Sequence, residues 1–345
     1  MNFSSQIIKW YKNFKRELPW RETRDPYKIW LSEIILQQTQ VKQGLPYYER
    51  FLASFPNVNA LAEAAEDDIM KLWQGLGYYS RARNLHFAAK QIVKMGKFPN
   101  DYNSILSLKG VGEYTAAAIS SFAFKLPHAV VDGNVFRLLS RFYGIEKNIS
   151  SVSGKRYFFD LANSLIDKNK PDIHNQAIME FGSQMCKAVK PNCTDCPLKD
   201  ECYAFSHNMQ KQFPIKNKKQ TVKSLYFDYF FFEFGSHTFI QQRSNEGIWK
   251  NLYEFPLIES SKQYSKTSIL AHDSLQHWLA NQSTTVKSIS CYKHVLSHRV
   301  IFARFWRMEC QKTLENHSFK TIKISDLEQY AVSRLTEKFI NEILN

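Results

Sequence analysis

Four closely spaced cysteines constrain the fold of this chain more than any other feature. Cys186, Cys193, Cys196 and Cys202 follow the spacing C-x6-C-x2-C-x5-C. Thiolates gathered in this way suit a tetrahedral zinc ion or a 4Fe–4S cluster. The usual zinc pattern has two C-x2-C pairs, whereas this segment has one, which favours the iron–sulfur cluster. Unliganded structural cysteines are the alternative.

The size and charge of the chain limit the class of protein. A length of 345 residues predicts two domains. The net charge of +14 suggests a polyanionic partner, with nucleic acid first and an anionic membrane surface second. A basic surface without any such partner is the alternative.

The sequence shows no sign of a membrane span or of secretion. No stretch of about 18 apolar residues occurs, so no transmembrane helix is predicted. Charges are scattered through residues 1–20, which lack the apolar core of a signal peptide. We therefore expect a cytoplasmic protein, whose six cysteines are reduced thiols or metal ligands. Cys291 and Cys310, in the strand-rich part of the chain, are interpreted as core residues.

Patterning divides the chain into two domains joined by a linker. Residues 1–207 have helical periodicity, and residues 208–223 are rich in lysine and predict an exposed basic linker. Residues 224–345 predict a mixed α+β domain. In that domain Leu225–Phe234 and Thr238–Arg243 predict a hairpin, and the segment 325–344 predicts a helix.

The helix that contains Glu33 carries the first candidate for catalysis. Asp25 is a good N-cap, Pro26 suits the first helical position, and no glycine or proline follows until Gly44. The side chains three and four positions from Glu33 are mostly apolar, namely Ile29, Trp30, Leu36 and Gln37. Burial there would raise the pKa of the carboxyl group towards the range of a proton donor near pH 7. An edge glutamate that reaches solvent is the alternative.

A glycine-containing turn is the second candidate site. Lys109, Gly110, Val111 and Gly112 precede a run of small residues, 116–121, which predicts a turn followed by a helix. Backbone N–H groups at such a helix start can bind a phosphate. A plain packing turn between two helices is the alternative.

Asp132 is the third candidate. It follows a β-branched pair and precedes a helical segment, so it can cap that helix. Backbone N–H groups that bind an ionised aspartate would keep its pKa low, in contrast to Glu33. Two carboxyl groups with separated pKa values are typical of acid chemistry at a glycosidic bond.

Together these motifs resemble the helix–hairpin–helix superfamily of DNA glycosylases that includes endonuclease III. Within it, the segments 31–41 (LSEIILQQTQV) and 75–86 (GLGYYSRARNLH) are similar to adenine DNA glycosylases of the MutY type. The segment 247–256 (GIWKNLYEFP) resembles the start of their Nudix-like C-terminal domain. The resemblance implies a helical glycosylase domain with a 4Fe–4S loop at 186–202, followed by an α+β Nudix-like domain.

The resemblance also implies the reaction, which is removal of adenine mispaired with 8-oxoguanine or guanine in double-stranded DNA. Glu33 would protonate N7 of a flipped-out adenine, and Asp132 would stabilise the cationic sugar or help to deliver water. Tyr114 and Asn134 would support these groups. We expect the protein to act on DNA as a monomer.

Further residues gain roles by the same resemblance. Trp20, Arg21 and Glu180 would line the adenine pocket, and the hairpin residues 109–112 would hold a phosphate. The remaining substrate-binding residues would contact the duplex and the lesion; they are Gln37, Gln38, Tyr78, Ser297 and His298.

Three departures refine the prediction. Bifunctional relatives carry a nucleophilic lysine at the position of Tyr114, so a monofunctional glycosylase is expected. Lys109 replaces the usual proline, which leaves weak lyase activity open. Leu296 replaces an aromatic residue in the loop with Ser297 and His298. That loop is either a probe of 8-oxoguanine or an ordinary strand-end loop.

The C-terminal domain is expected to recognise DNA rather than to hydrolyse nucleotides. It lacks the glutamate-rich R-E-x-x-E-E helix that binds magnesium in Nudix hydrolases. Two alternatives remain for the whole protein. One is an endonuclease III-like glycosylase and lyase acting on oxidised pyrimidines, and the other is a non-catalytic DNA-binding protein.

Overall fold

A computed structural model describes residues 3–217, 222–244, 247–280, 282–296, 299–314 and 318–344. The chain forms two compact units, one of Met1–Glu63 with Asn84–Lys218 and one of Ala64–Arg83 with Lys219–Asn345. Among the described residues, no helix has both the length and the apolar character needed to cross a membrane.

Helices build the first unit, and their bounds follow local sequence signals. The predicted start of the Glu33 helix is confirmed, because Asp25 accepts a hydrogen bond from the backbone N–H of Tyr27 (2.9 Å). The helix ends at Leu36, earlier than the lack of glycine and proline suggests, since Gln38 takes a left-handed conformation (φ 57°). The helices described in the chain up to the second unit's strands are α1 Phe3–Phe14, α2 Pro26–Leu36, α3 Val41–Ser54, α4 Val58–Glu63, α5 Glu66–Trp73, α6 Ser80–Lys94, α7 Tyr102–Leu106, α8 Glu113–Phe124, α9 Gly133–Tyr143, α10 Val152–Leu165, α11 Pro171–Gln184 and α12 Tyr203–Ser206.

The predicted helix–hairpin–helix is confirmed as α7, a tight turn and α8. Gly110 adopts a φ of 79°, and any side chain at this position would also collide with Asn84, because its Cβ would lie only 2.6 Å from the Cβ of Asn84. The small residues of α8 are buried from Thr115 to Ser121, which lets α8 pack closely on its neighbours. α8 and α11 therefore bring residues of distant sequence into one core.

The predicted exposed linker is in part packed on the helical unit. Phe213 is buried, and the N–H of Ile149 donates to the carbonyl of Ile215 (2.9 Å). An aromatic residue and a backbone acceptor thus hold residues up to 217 in place, despite the lysine-rich composition.

The second unit contains two sheets. Among its described residues, the larger sheet has the strand order β4-β1-β6-β5 and the smaller has the order β3-β2-β7. Two short helices, α13 Lys266–Leu270 and α14 Asp273–Leu279, cover one face of the larger sheet, and α15 Arg334–Leu344 covers the other. The strands are β1 Lys223–Glu233, β2 His237–Gln242, β3 Tyr253–Glu254, β4 Leu257–Ser260, β5 Thr284–Val295, β6 Arg299–Cys310 and β7 Lys320–Lys323.

Two predictions for this unit are wrong in detail. β1 and β2 form both predicted strands, but they meet at the single bridge Phe234–His237 and then enter different sheets. β1 instead pairs in parallel with β6 over its whole length. The predicted C-terminal helix begins at Arg334, since Tyr253 donates its N–H to the carbonyl of Ala331 and draws that segment into a strand-like bridge.

Candidate active site

Glu33 lies on the buried face of α2, as its apolar helical neighbours predicted. Its side chain is 6% exposed. Burial raises the pKa of Glu33 to about 7, and the nearby Asp132 acts in the same direction. A hydrogen bond from Tyr114 and the charge of Arg21 oppose this rise. The carboxyl group can therefore hold a proton near neutral pH.

Tyr114 stands in the first turn of α8, directly after the glycine turn. Burial raises its pKa well above the ordinary value, and the charges of Glu33 and Asp132 raise it further. Its hydroxyl group therefore stays protonated and can donate a hydrogen bond to Glu33. The same oxygen lies 3.7 Å from the sulfur of Met179 on α11.

Asp132 caps α9, which confirms its predicted structural role. Its Oδ1 accepts hydrogen bonds from the N–H groups of Asn134 (2.9 Å) and Val135 (2.8 Å), and its Oδ2 accepts one from Asn134 Nδ2 (2.7 Å). Asn134 Oδ1 in turn accepts from Arg137 Nη2 (2.9 Å). The carboxylate is thus fixed by its neighbours in sequence.

The predicted low pKa of Asp132 is wrong. Burial raises the pKa of this carboxyl group and outweighs the hydrogen bonds from Val135 and Asn134, which lower it. The prediction considered only the local cap, whereas burial depends on helices that pack around it from elsewhere in the chain.

Glu180 on α11 has an electrostatic environment opposite to that of Glu33. Its carboxylate is 1% exposed and is bound by Arg16 Nε (2.7 Å) and by Arg21 Nη2 (2.7 Å). Burial alone would raise the pKa of Glu180, but the two guanidinium groups lower it to about 2.

Trp20, in the short 3-10 helix Pro19–Arg21, lies edge-on to Tyr48 with ring centroids 5.2 Å apart.

Two cavities meet at the catalytic candidates. One, of about 580 Å³, is lined by Trp20, Arg21 and Glu180, and also by Asn134. The other, of about 590 Å³, is lined by Gln37, Gln38 and Gly112. Four side chains line both cavities, namely those of Glu33, Leu36, Tyr114 and Asp132.

Sequence reasoning missed two residues of the first cavity. Arg16 binds Glu180 from a position 164 residues away, and Gln176 accepts a hydrogen bond from the Tyr11 hydroxyl (2.6 Å). Neither pairing has a signal in local sequence, because both depend on the packing of α1 against α11. The position of Gln176 one turn before Glu180 on α11 was the available hint.

Of the other predicted substrate-binding residues, those that the structure describes lie outside the cavity with Trp20, Arg21 and Glu180. Gln37 donates from Nε2 to Thr115 Oγ1 (3.2 Å), whereas Gln38 is exposed and left-handed. Tyr78, in the second unit, is 47% exposed and left-handed (φ 47°). Ser297 and His298 lie outside the described residues.

The predicted phosphate-binding residues form the turn of the helix–hairpin–helix. Val111 donates its N–H to Leu108, and Gly112 caps α8 without a side-chain hydrogen bond. The N–H of Lys109 donates to Gln91 Oε1 (2.9 Å), so a side chain of α6 fixes the start of the turn.

The four cysteine side chains Cys186, Cys193, Cys196 and Cys202 line one cavity beside α9. Arg141 Nη1 lies 3.4 Å from the sulfur of Cys186, and burial raises the pKa of Cys196 to about 12, with the other three thiols acting in the same direction. Within the described part of the chain, no group of three or more His, Cys, Asp or Glu side chains is arranged to hold a single metal ion.

Of the other two cysteines, Cys310 is buried as predicted, but Cys291 is exposed, because it lies on an open part of the sheet.

Family models match both parts of the chain. The HhH-GPD superfamily of base excision DNA repair proteins matches residues 31–158, and the NUDIX domain matches residues 229–342. The first match contains Glu33, Tyr114 and Asp132, which line both cavities.

Relatives and solved structures agree with these matches. An adenine DNA glycosylase of Buchnera aphidicola subsp. Baizongia pistaciae (strain Bp) is 36% identical over 93% of this chain and 90% of its own length. That of Homo sapiens is 31% identical over 86% of this chain and 65% of its own length. A thermostable thymine-DNA glycosylase structure is 29% identical with a TM-score of 0.56, covering 59% of this chain and 95% of its own. A trapped endonuclease III–DNA intermediate, 22% identical with a TM-score of 0.53 over 60% of this chain and 95% of its own, shares the fold. The chain belongs to the adenine DNA glycosylase family.

Proposed function

We propose that this protein removes adenine mispaired with 8-oxoguanine, or with guanine, from double-stranded DNA by hydrolysing its N-glycosidic bond. The observation that carries this proposal is Glu33, a buried carboxyl group with a pKa of about 7 that borders two cavities together with Asp132. A reaction that needs a proton donor and a stabilised sugar cation requires this combination.

The two cavities suit the two halves of a flipped-out nucleotide. The adenine base would enter the cavity lined by Trp20, Arg21 and Glu180. The sugar would remain where Glu33, Tyr114 and Asp132 line both cavities. The phosphates would lie towards Gly112 and the hairpin. A mispaired base is less costly to extrude, which favours substrates with a mismatch.

Glu33 would act as the general acid. With a pKa of about 7, roughly half of the molecules carry the proton at neutral pH. Transfer of that proton to adenine N7 makes the base a better leaving group. The C1′–N9 bonding pair then leaves with the base, and a water molecule adds to C1′ and gives up a proton to the Glu33 carboxylate.

Asp132 would stabilise the oxocarbenium-like sugar that forms as the base departs. Its two oxygens are fixed by Asn134 and by the start of α9, so the negative charge is held in place before the reaction. Arg137 fixes Asn134 in turn, and both residues are therefore expected to support catalysis through Asp132.

A monofunctional reaction is expected. Tyr114 stands where a lyase would need an amine nucleophile, and burial keeps its hydroxyl group protonated. We propose that Gln37, Gln38 and Tyr78 contact the duplex, and that Lys109, Gly110, Val111 and Gly112 hold a phosphate. Ser297 and His298 would probe 8-oxoguanine.

The four cysteines fit a 4Fe–4S cluster, because their thiols line one cavity and are the ligand type that such clusters use. When bound, the cluster supplies a redox-active and structural centre. Arg141 would help to hold the loop, since it donates to the backbone carbonyls of Lys187 (2.8 Å) and Ala188 (3.2 Å). The exposed lysines Lys187 and Lys190 and the half-buried Lys199 of this loop would face the DNA.

Single-turnover base release from a duplex with adenine opposite 8-oxoguanine tests the proposal. Abasic sites are revealed with alkali, and a lane without alkali reports lyase cleavage. Glu33→Gln should slow release by about a hundredfold or more. Glu49→Gln, which changes an exposed glutamate on α3, is the matched control and should leave the rate unchanged.

Other outcomes identify the alternatives. Strand cleavage before alkali would support an endonuclease III-like lyase and implicate Lys109. Absence of base release from folded, cluster-loaded protein would leave a non-catalytic DNA-binding protein.

A further inference from the structure

One face of the larger sheet in the second unit is covered along only part of its length. Phe230, Phe232 and Trp306 on this face pack with α13 and α14. Because side chains alternate along a strand, Tyr226 and Asp228 lie on the same face as Phe230. At that end the face is open, with Phe302 37% exposed and a cavity of about 270 Å³.

Aromatic rings and a cation form the outer part of this face. Tyr226 pairs with Phe302 across β1 and β6, and their rings stack with centroids 5.4 Å apart and planes 18° apart. Lys293, which pairs with Phe302 across β5, places Nζ 5.7 Å from the centroid of the Phe302 ring. A stacked aromatic pair thus lies beside a positive charge.

An arginine is held rigidly in the inner part. Asp228, only 1% exposed, accepts from Arg304 Nε (2.6 Å) and Nη2 (2.9 Å), and also from Trp306 Nε1 (2.8 Å). Among the hydrogen bonds of the described residues, Arg304 Nη1 has no partner. A planar guanidinium group fixed in this way presents the N–H groups of Nη1 without further loss of side-chain freedom.

We propose that this face binds an unpaired nucleotide of single-stranded DNA. Its base extends the stack of Tyr226 and Phe302, Arg304 Nη1 donates to an acceptor on the base edge, and Lys293 contacts the phosphate. Aromatic residues on an open sheet that stack bases beside basic side chains are a general mode of single-strand binding. The site lies in a different unit from the adenine cavity, and of the proposed function it rests only on the chain acting on DNA.

The aromatic pair, rather than charge, distinguishes a nucleotide from an acidic peptide as the occupant. Asp228, the carboxylate among the described lining residues, is neutralised by Arg304, so Lys293 leaves the face positive. Both polyanions would be attracted, but the stacked ring pair matches the faces of bases. An extended peptide would instead pair with the edge strand β5 through its main chain.

A footprint on the unmodified full-length protein tests the site directly. Cys291 lines the cavity and is exposed, so its alkylation by iodoacetamide, followed by mass spectrometry, reports occupancy. An oligothymidylate of about ten nucleotides should slow alkylation at least about fivefold, whereas polyglutamate should not. Unchanged alkylation with bound oligonucleotide, or equal protection by polyglutamate, would overturn the proposal.

Variants then separate stacking from charge by fluorescence anisotropy with the same oligonucleotide. Phe302→Ala should raise Kd about fivefold or more, and Lys293→Ala should reduce the slope of log K against log salt by about 0.7. Phe14→Ala, an exposed ring on α1, is the matched control. Equal affinity of the Phe302 and Phe14 variants would contradict stacking. Base release is assayed in parallel, so failure of the glycosylase proposal is seen separately from failure of this one.

Discussion

Glu33 and Glu180 line the same cavity and are both almost completely buried, yet they differ in protonation. The pKa of Glu33 is raised to about 7, and that of Glu180 is lowered to about 2. Burial raises both values. The difference lies in the partners, since two guanidinium groups bind Glu180, whereas Glu33 has a tyrosine hydroxyl and an unfavourable neighbouring carboxylate.

This comparison shows how one pocket can contain both a recognition group and an acid. An ionised Glu180 keeps Arg16 and Arg21 in place and presents fixed charges to the cavity. Glu33, a carboxyl group without a directly bound guanidinium group, retains a proton that it can transfer. Three predictions test this contrast.

Removing one of the two arginines that bind Glu180 should have the largest effect on stability. Arg21→Met leaves a buried carboxylate with one partner, and the free energy of unfolding should fall by about 3 kcal/mol. Urea-induced unfolding at pH 7, followed by circular dichroism, measures the change. Arg24→Met, which removes an exposed arginine, is the control.

A second substitution sharpens this test. Adding Glu180→Gln to Arg21→Met removes the unpaired charge and should recover part of the lost stability. If Arg21→Met destabilises no more than Arg24→Met, the ion pair does not stabilise the fold, and the account of Glu180 is wrong.

Removing the carboxyl group of Glu33 should have the opposite effect and increase the free energy of unfolding. The folded pKa of Glu33, about 7, exceeds its unfolded value of 4.5. Its favourable contribution is therefore complete below the unfolded pKa and is lost as the pH rises through 7. Glu33→Gln should thus be more stable than the wild type by up to about 3 kcal/mol at alkaline pH, with the difference vanishing at acid pH. Urea unfolding across this pH range checks it.

Glu49→Gln, on the exposed side of α3, should show no such pH-dependent gain. A Glu33→Gln variant as stable as the wild type at every pH would mean that the Glu33 carboxylate is not penalised by burial. An acid placed for catalysis is expected to reduce stability in this way.

The comparison of Glu33 with Glu180 also shows which features of the site can be predicted from the sequence. The apolar neighbours of Glu33 in α2 predicted its burial, because helical spacing reports which face is covered. The lysine-rich segment predicted exposure, but Phe213 is buried, since a single aromatic side chain can hold a chain segment that its charges alone would leave in solvent.

Interactions between distant segments account for the remaining errors. The pKa of Asp132 was predicted from its cap, although packing from elsewhere determines it. Arg16 was missed because its partner is 164 residues away. The β-rich composition of β1 predicted a strand but not its partner, since β6 lies 76 residues further along at the Asp228–Arg304 pair.

The smallest effect concerns the pH at which Glu33 loses its proton. The hydrogen bond from Tyr114 lowers the pKa of Glu33, so Tyr114→Phe should raise it. Base release by the wild type should fall about tenfold per pH unit above 7, because the acid must be protonated. In Tyr114→Phe this fall should begin at higher pH, by less than about one unit for loss of a single hydrogen bond. Single-turnover rates across the pH range measure the shift, with Tyr157→Phe, an exposed tyrosine on α10, as the control. A profile that moves to lower pH would show that Tyr114 favours the protonated form of Glu33, and the hydroxyl group would then have to accept its hydrogen bond.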